Sequence, residues 1–187
     1  MKSQPVFVLV HSPLVGPLTW DLVAVQLRTR GFEVAVPTLV DSEAIDTPYW
    51  KQYVDTVARV LERVPVGQSL ILVGHSGAGP LLPAIRQATS HPIMCYVFVD
   101  AGIPRNGASY LDLLASQLPE QAEQFRQMLV SGGRYPTWED EELREVIPDA
   151  ELRRQVLLEL RPRPLASYGS QFLFLIVGRT CLAAICG

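Results

Sequence analysis

Along the first hundred residues, short apolar runs alternate with segments whose apolar positions recur at helical spacing. "VFVLV", Val6 to Val10, is a continuous, β-branched run of the kind found in strands buried on both faces. Trp20, Val23, Ala24 and Leu27 then follow a helical period as far as Arg30, and Gly31 stands where a C-terminal cap belongs. "FEVAVP" reads as a second strand. From Tyr49 to Val64 the residues Tyr53, Val54, Val57, Val60, Leu61 and Val64 share one helical face, and Pro48 suits the helix start. "SLILVG", then the helical "GAGPLLPAIRQAT", then "IMCYVFVD" complete the series. This alternation predicts an α/β fold: a mostly parallel central sheet of right-handed βαβ units with helices on its flanks.

From Ser109 to Leu160 the pattern turns wholly helical, as expected of a lid inserted over the strand ends. The chain thus divides into a core (residues 1–107), a helical lid (108–164) and an atypical tail (165–187). Within the tail, Phe172 to Val177 reads as one further core strand. The apolar segment after it is too short for a bilayer, which needs about 20 apolar residues, and Arg179 opposes insertion.

Composition narrows the function classes. With 187 residues and 48% apolar content, one domain with a full core is expected. Sixteen basic and nineteen acidic residues are mixed along the chain, for a net charge of -3. No basic stripe is available, so neither nucleic acid nor an anionic membrane is an expected partner. Cys95, Cys181 and Cys186 are an odd count without metal-ligand spacing and are read as free thiols of a reducing compartment. "VFVLV" is too short for a signal-peptide core and no cleavage site follows it, so the expected location is the cytoplasm. No metal or cofactor is implied.

The chemistry concentrates in "LILVGHSGAGPLLPAI", Leu70 to Ile85. A sharp turn from strand to helix lifts its apex residue above the sheet and places its side chain beside unpaired helix N–H groups. Gly74, Gly77 and Ala78 supply the small neighbours such a turn needs around Ser76, although Ala78 stands where glycine is usual and Gly79 comes one residue later. Ser76 as a plain helix N-cap is the competing assignment.

With "VFVLVHSPLVGPLTW", "LILVGHSGAGP" and "YVFVDAGIP" in place, the chain from about Pro5 to Pro104 resembles the α/β-hydrolase superfamily, in its small esterase-like members. The resemblance implies that Ser76 is a nucleophile, that a small ester or related carbonyl compound is the substrate, and that the Gly77 amide is one oxyanion donor. The other donor comes from the loop after the first strand. There the family commonly has His-Gly-x, and this chain has His11-Ser12-Pro13, whose proline carries no N–H. Leu14 is therefore expected to donate. Asp100, at the end of "YVFVD", is the one acid positioned at the catalytic edge, with a loop-anchoring role as its alternative.

The resemblance also requires a histidine after the acid. His11, His75 and His91 all precede Asp100. His91 is expected at the opposite sheet edge, His75 to point away from Ser76, and His11 to border the substrate pocket while anchoring the oxyanion loop. Tyr135 and Trp138 are expected to wall the pocket, with Phe125 and Met128 in the lid's own core. Two readings account for the missing base. In the first, the C-terminal part with its histidine is lacking and the tail from about residue 165 is not native, so that the hydrolase is impaired. In the second, the scaffold is a noncatalytic binding or regulatory protein. The first is preferred because the nucleophile turn is intact.

Overall fold

Val6, Val8 and Val10 face one side of strand β1 (Val6–Val10), and Phe7 and Leu9 face the other. Side chains alternate across a strand, so a run apolar at every position must be covered on both sides. The computed structural model, which describes residues 4–173 and the backbone of residues 181–185, shows both covers. On one side Val8 and Val10 join Leu70 and Leu72 of β3 (Leu70–His75), Tyr53, Val57 and Leu61 of α2 (Tyr49–Leu61), and Leu82 and Ile85 of α3 (Leu82–Gln87). On the other, Leu9 and Val73 pack on Trp20 and on Ala24 of α1 (Asp21–Thr29). Each fully buried aliphatic side chain contributes about 1.5–3 kcal/mol.

The sheet is parallel throughout, in the order β2-β1-β3-β4-β5. β2 (Val34–Ala35) retains two residues of the expected "FEVAVP" strand, paired with Phe7 and Val8. β4 is Ile93–Val99 and β5 is Cys181–Ile185. Within the tail, β5 pairs in parallel with β4. Phe172 and Leu173 lie in an irregular segment, with the Phe172 N–H and C=O paired to Ala108 and Gly107, and residues 174–177 of the expected strand lie outside the described residues. A further departure is the segment after Ser76, a 3₁₀ turn (Ser76–Leu81) before α3 rather than one continuous helix. Pro80 and Pro83 remove two N–H donors from the early turns.

Helices α4 (Tyr110–Ala115), α5 (Pro119–Val130), α6 (Asp140–Leu143), α7 (Ala150–Leu158) and α8 (Leu165–Gly169) follow β4. Phe125, Met128 and Tyr135 pack around Leu129 and Tyr168 beneath Leu14, joining α5 and α8 to the loop after β1. Arg153, with its side chain 7% exposed, ties the α6–α7 turn by donating to Asp140 and to the carbonyls of Ile147 and Pro148. The lid grips the core through the loop after β1, where Leu18 N–H donates to the Glu159 carboxylate and Arg161 N–H to the Leu14 carbonyl. No helix among the described residues is long and apolar enough to cross a membrane.

Close packing of the Ser76 turn rests on Gly74 and Gly79. A Cβ on Gly79 would stand 2.4 Å from the Gly102 carbonyl oxygen and 2.9 Å from Ala101 Cβ. Backbone cannot yield as a side chain does. Gly79→Ala is expected to destabilise the fold by about 1–3 kcal/mol, read as a lower urea midpoint, whereas Gly169→Ala, with nothing within 4 Å of the new carbon, should leave the midpoint unchanged.

Candidate active site

Three loops meet at the carboxyl edge of the sheet: residues 11–16 after β1, the Ser76 turn after β3, and Asp100 after β4. Ligands of open parallel sheets bind at this edge. Among the described residues, Ser76 and Asp100 are the non-glycine residues with positive φ, at 51° and 43°. The left-handed region costs an L-residue roughly 1–2 kcal/mol. Both strained positions end adjacent strands, and such strain persists where the surrounding structure enforces a side-chain direction.

Ser76 lies between two cavities. The smaller, about 130 Å³, also borders Asp100, Gly102, Tyr110 and Gln117. The larger, about 460 Å³, runs under the α6–α7 turn and is walled by Leu18, Leu22, Trp138, Val146, Ile147 and Val156, with Ser12, His75 and Ser76 at its base. Ser76 and Asp100 therefore share a space, and Trp138 borders the larger cavity. Tyr135 does not border either cavity. Its ring packs edge-on against Phe125 and Trp138, so it supports the wall from behind. α1 contributes Leu22 to the wall, a residue outside the helical period of Trp20, Val23, Ala24 and Leu27.

His11 is not a pocket group. Its side chain is buried, the residue being 1% exposed; Nδ1 donates to the Ser12 carbonyl at 2.8 Å, and Nε2 accepts the Leu39 N–H at 3.1 Å. With both nitrogens engaged, the ring is a neutral clamp between the loop after β1 and the segment after β2. Burial, reinforced by the charges of His75 and Arg161 and partly opposed by backbone hydrogen bonds, lowers its pKa to about 4. A histidine held neutral in the fold but free to ionise when unfolded stabilises fully above about pH 6.5 and progressively less as the pH falls toward 4. The expected loss across that window is about 3 kcal/mol. His75, lowered by burial and opposed by the Asp100 charge, acts in the same direction. Urea titrations at stepped pH should show a shallower acid slope for His11→Gln than for the unchanged protein.

His75 sets its ring edge-on against Trp20 at 6.1 Å and lines the larger cavity together with Ser76. Its Nδ1 is buried without a partner among the described residues. His91 sits at the far edge, in contact with the carbonyls of Gln68 and Leu61. None of the three histidines is hydrogen-bonded to Ser76.

The loop after β1 differs from expectation at Leu14. Its N–H is directed to Ser12 Oγ, 3.4 Å away, and the Val15 N–H to the Ser12 carbonyl, 3.2 Å away. Gly77 stays open: a Cβ built there would meet only Pro13 Cδ and Ser12 Oγ at 3.4 Å, ordinary contact distances. Among the described residues no group of three or more His, Cys, Asp or Glu is arranged to hold a metal ion.

A parallel sheet, a serine held at positive φ where its central strand turns into a helix, and helices over the strand ends give the chain the α/β-hydrolase fold. It is 28% identical over 127 residues to methylesterase 17 of Arabidopsis thaliana, a match spanning 65% of this chain and 46% of that protein. It is 32% identical over 114 residues to putative methylesterase 11, chloroplastic, of the same plant, spanning 58% of this chain and 29% of that protein. The chain thus spans less than half the length of these curated relatives. Among solved structures, an extracellular α/β-hydrolase of a Paenibacillus species, described as sharing structural and functional homology with tobacco salicylic acid binding protein 2, superposes with a TM-score of 0.71 at 21% identity, covering 91% of this chain and 72% of that one. No protein-family model matches the chain.

Proposed function

We propose that the chain carries the acylation half-site of an esterase-like serine hydrolase, with Ser76 as the nucleophile and an impaired proton-transfer system. The observation that carries this reading is the strained Ser76, φ 51°, opening onto the 460 Å³ cavity. A helix cap alone does not require a strained residue at the base of an apolar cavity. In the proposed reaction Ser76 Oγ bonds to an ester carbonyl carbon and its proton passes to water. The carbonyl oxygen takes the displaced electron pair beside the Gly77 N–H, and the alcohol departs with a proton from solvent, leaving an acyl-serine for water to hydrolyse. The cavity wall carries no charged side chain, which favours an uncharged, apolar acyl or alcohol group, in keeping with relatives named as methylesterases. Asp100 borders the smaller cavity together with Ser76 and belongs to this reading as the acid of the site.

The second reading, a noncatalytic binding protein on the same scaffold, is favoured by the histidines, none of which is hydrogen-bonded to Ser76. Fluorophosphonate labelling separates the two. Slow labelling that disappears in Ser76→Ala supports the nucleophile, whereas a folded protein with no Ser76-dependent label supports the binding protein.

A further inference from the structure

Pro13 stands where the resemblance places an oxyanion-binding amide, and it has no N–H to give. The next two amides are also committed, since Leu14 N–H points to Ser12 Oγ and Val15 N–H to the Ser12 carbonyl. Among the polar hydrogens of this loop, that of the Ser12 hydroxyl has no acceptor among the described residues. Its oxygen accepts from Leu14 and donates to no described group. The side chain is buried, with the residue 2% exposed, yet Ser12 borders the same cavity as Ser76. Its Oγ is 3.4 Å from the position of a Cβ on Gly77, so it is beside the residue whose N–H is the other expected donor. The His11 clamp holds the Ser12 carbonyl and so fixes the residue's backbone.

Resting on the reading of Ser76 as a nucleophile, we propose that the Ser12 hydroxyl is the second oxyanion donor of this site, replacing the backbone N–H that Pro13 lacks. The Leu14 amide then acts through Ser12: by donating to Oγ it orients the lone pairs and leaves the O–H directed at the substrate oxygen. A hydroxyl that both accepts and donates is polarised by the first bond, which strengthens the second. Ser12 is thus a catalytic residue and Leu14 a positioning residue, which revises the donor expected from the sequence.

The test is made on the Ser76→Ala protein, so that it does not depend on nucleophilic attack. The probe is 2-octanone labelled with ¹³C at its carbonyl, a neutral ketone matched to the apolar cavity, and the readout is the infrared carbonyl stretch of the bound molecule. The expected result is a stretch displaced to lower wavenumber than in hydrocarbon. That displacement should shrink in Ser12→Ala and persist in Ser12→Thr, which keeps a hydroxyl. Adding Pro13→Ala to Ser12→Ala supplies a backbone N–H and should restore it, which a purely structural role for Ser12 does not predict. A displacement indifferent to the Ser12 hydroxyl overturns the proposal, as does a ketone that fails to bind the folded protein at saturation.

The labelling experiment judges the nucleophile separately. An unlabelled Ser76 with a Ser12-dependent stretch sinks the hydrolase reading and keeps the donor. A labelled Ser76 with a Ser12-independent stretch does the reverse. Where labelling occurs, Ser12→Ala should slow it by about 10² to 10³-fold, the usual effect of losing one oxyanion donor.

Discussion

Ser76→Ala is expected to abolish fluorophosphonate labelling completely, and added imidazole is expected to accelerate labelling of the unchanged protein in proportion to its concentration. Both outcomes derive from the same geometry. Ser76 is presented at φ 51° on the central strand's turn, beside the proposed donors Ser12 and Gly77, while no histidine among the described residues is hydrogen-bonded to it. Removing the base of a serine triad costs about 10⁶ in kcat, and the remaining apparatus still provides about 10³ to 10⁴ over water. Labelling should therefore be slow but specific. Imidazole small enough to enter the 460 Å³ cavity would supply the missing proton acceptor. An imidazole-insensitive rate would place the defect elsewhere than in proton transfer. Stability separates the steric role of this residue from its chemistry, since Ser76→Gly should be more stable than Ser76→Ala by about 1 kcal/mol, because glycine adopts positive φ without strain.

Arg163→Ala is expected to destabilise the protein by about 3–5 kcal/mol, the cost of leaving a buried charge without its partner. Arg163 Nη1 donates to Asp41 Oδ1 at 2.7 Å and Nη2 lies 2.6 Å from Oδ2, with the two side chains 11% and 5% exposed. This buried ion pair links the segment after β2 to the helical segment after β4, where Arg163 and Tyr135 exchange backbone hydrogen bonds. The neighbouring Arg134–Glu43 pair is exposed, and exposed pairs are worth about 0–1 kcal/mol. Arg134→Ala should therefore change the urea midpoint little. If burial rather than charge attraction governs the site, Asp41→Leu combined with Arg163→Met should recover most of what Arg163→Ala loses. A double variant as unstable as the single one would refute that.

How much of this was legible along the chain depended on the range of the interactions. β1, β3 and β4 were readable because a strand covered on both faces must be apolar at nearly every position, a local property. The turn at Ser76 was readable because its small neighbours adjoin it. β2 and β5 were less so: β2 pairs over only two residues, and the apolar tail contains several stretches that would satisfy a strand pattern. Tyr135 and Trp138 have the same aromatic character and stand three residues apart, and only the packing of Tyr135 on Phe125 and Tyr168 decides that Trp138 reaches the cavity.

The sequence by itself determined the parallel α/β core, the serine at its central turn, and the absence of a histidine after Asp100, since each is set by residue type and near neighbours. Tertiary structure decided which polar groups remain available. His11 was removed from the pocket by bonds to Ser12 and Leu39, the Leu14 amide was engaged by Ser12, and Asp41 met Arg163 across 122 positions of chain. Hydrogen-bonding capacity is finite, and which partner consumes it is known only when distant segments are brought together.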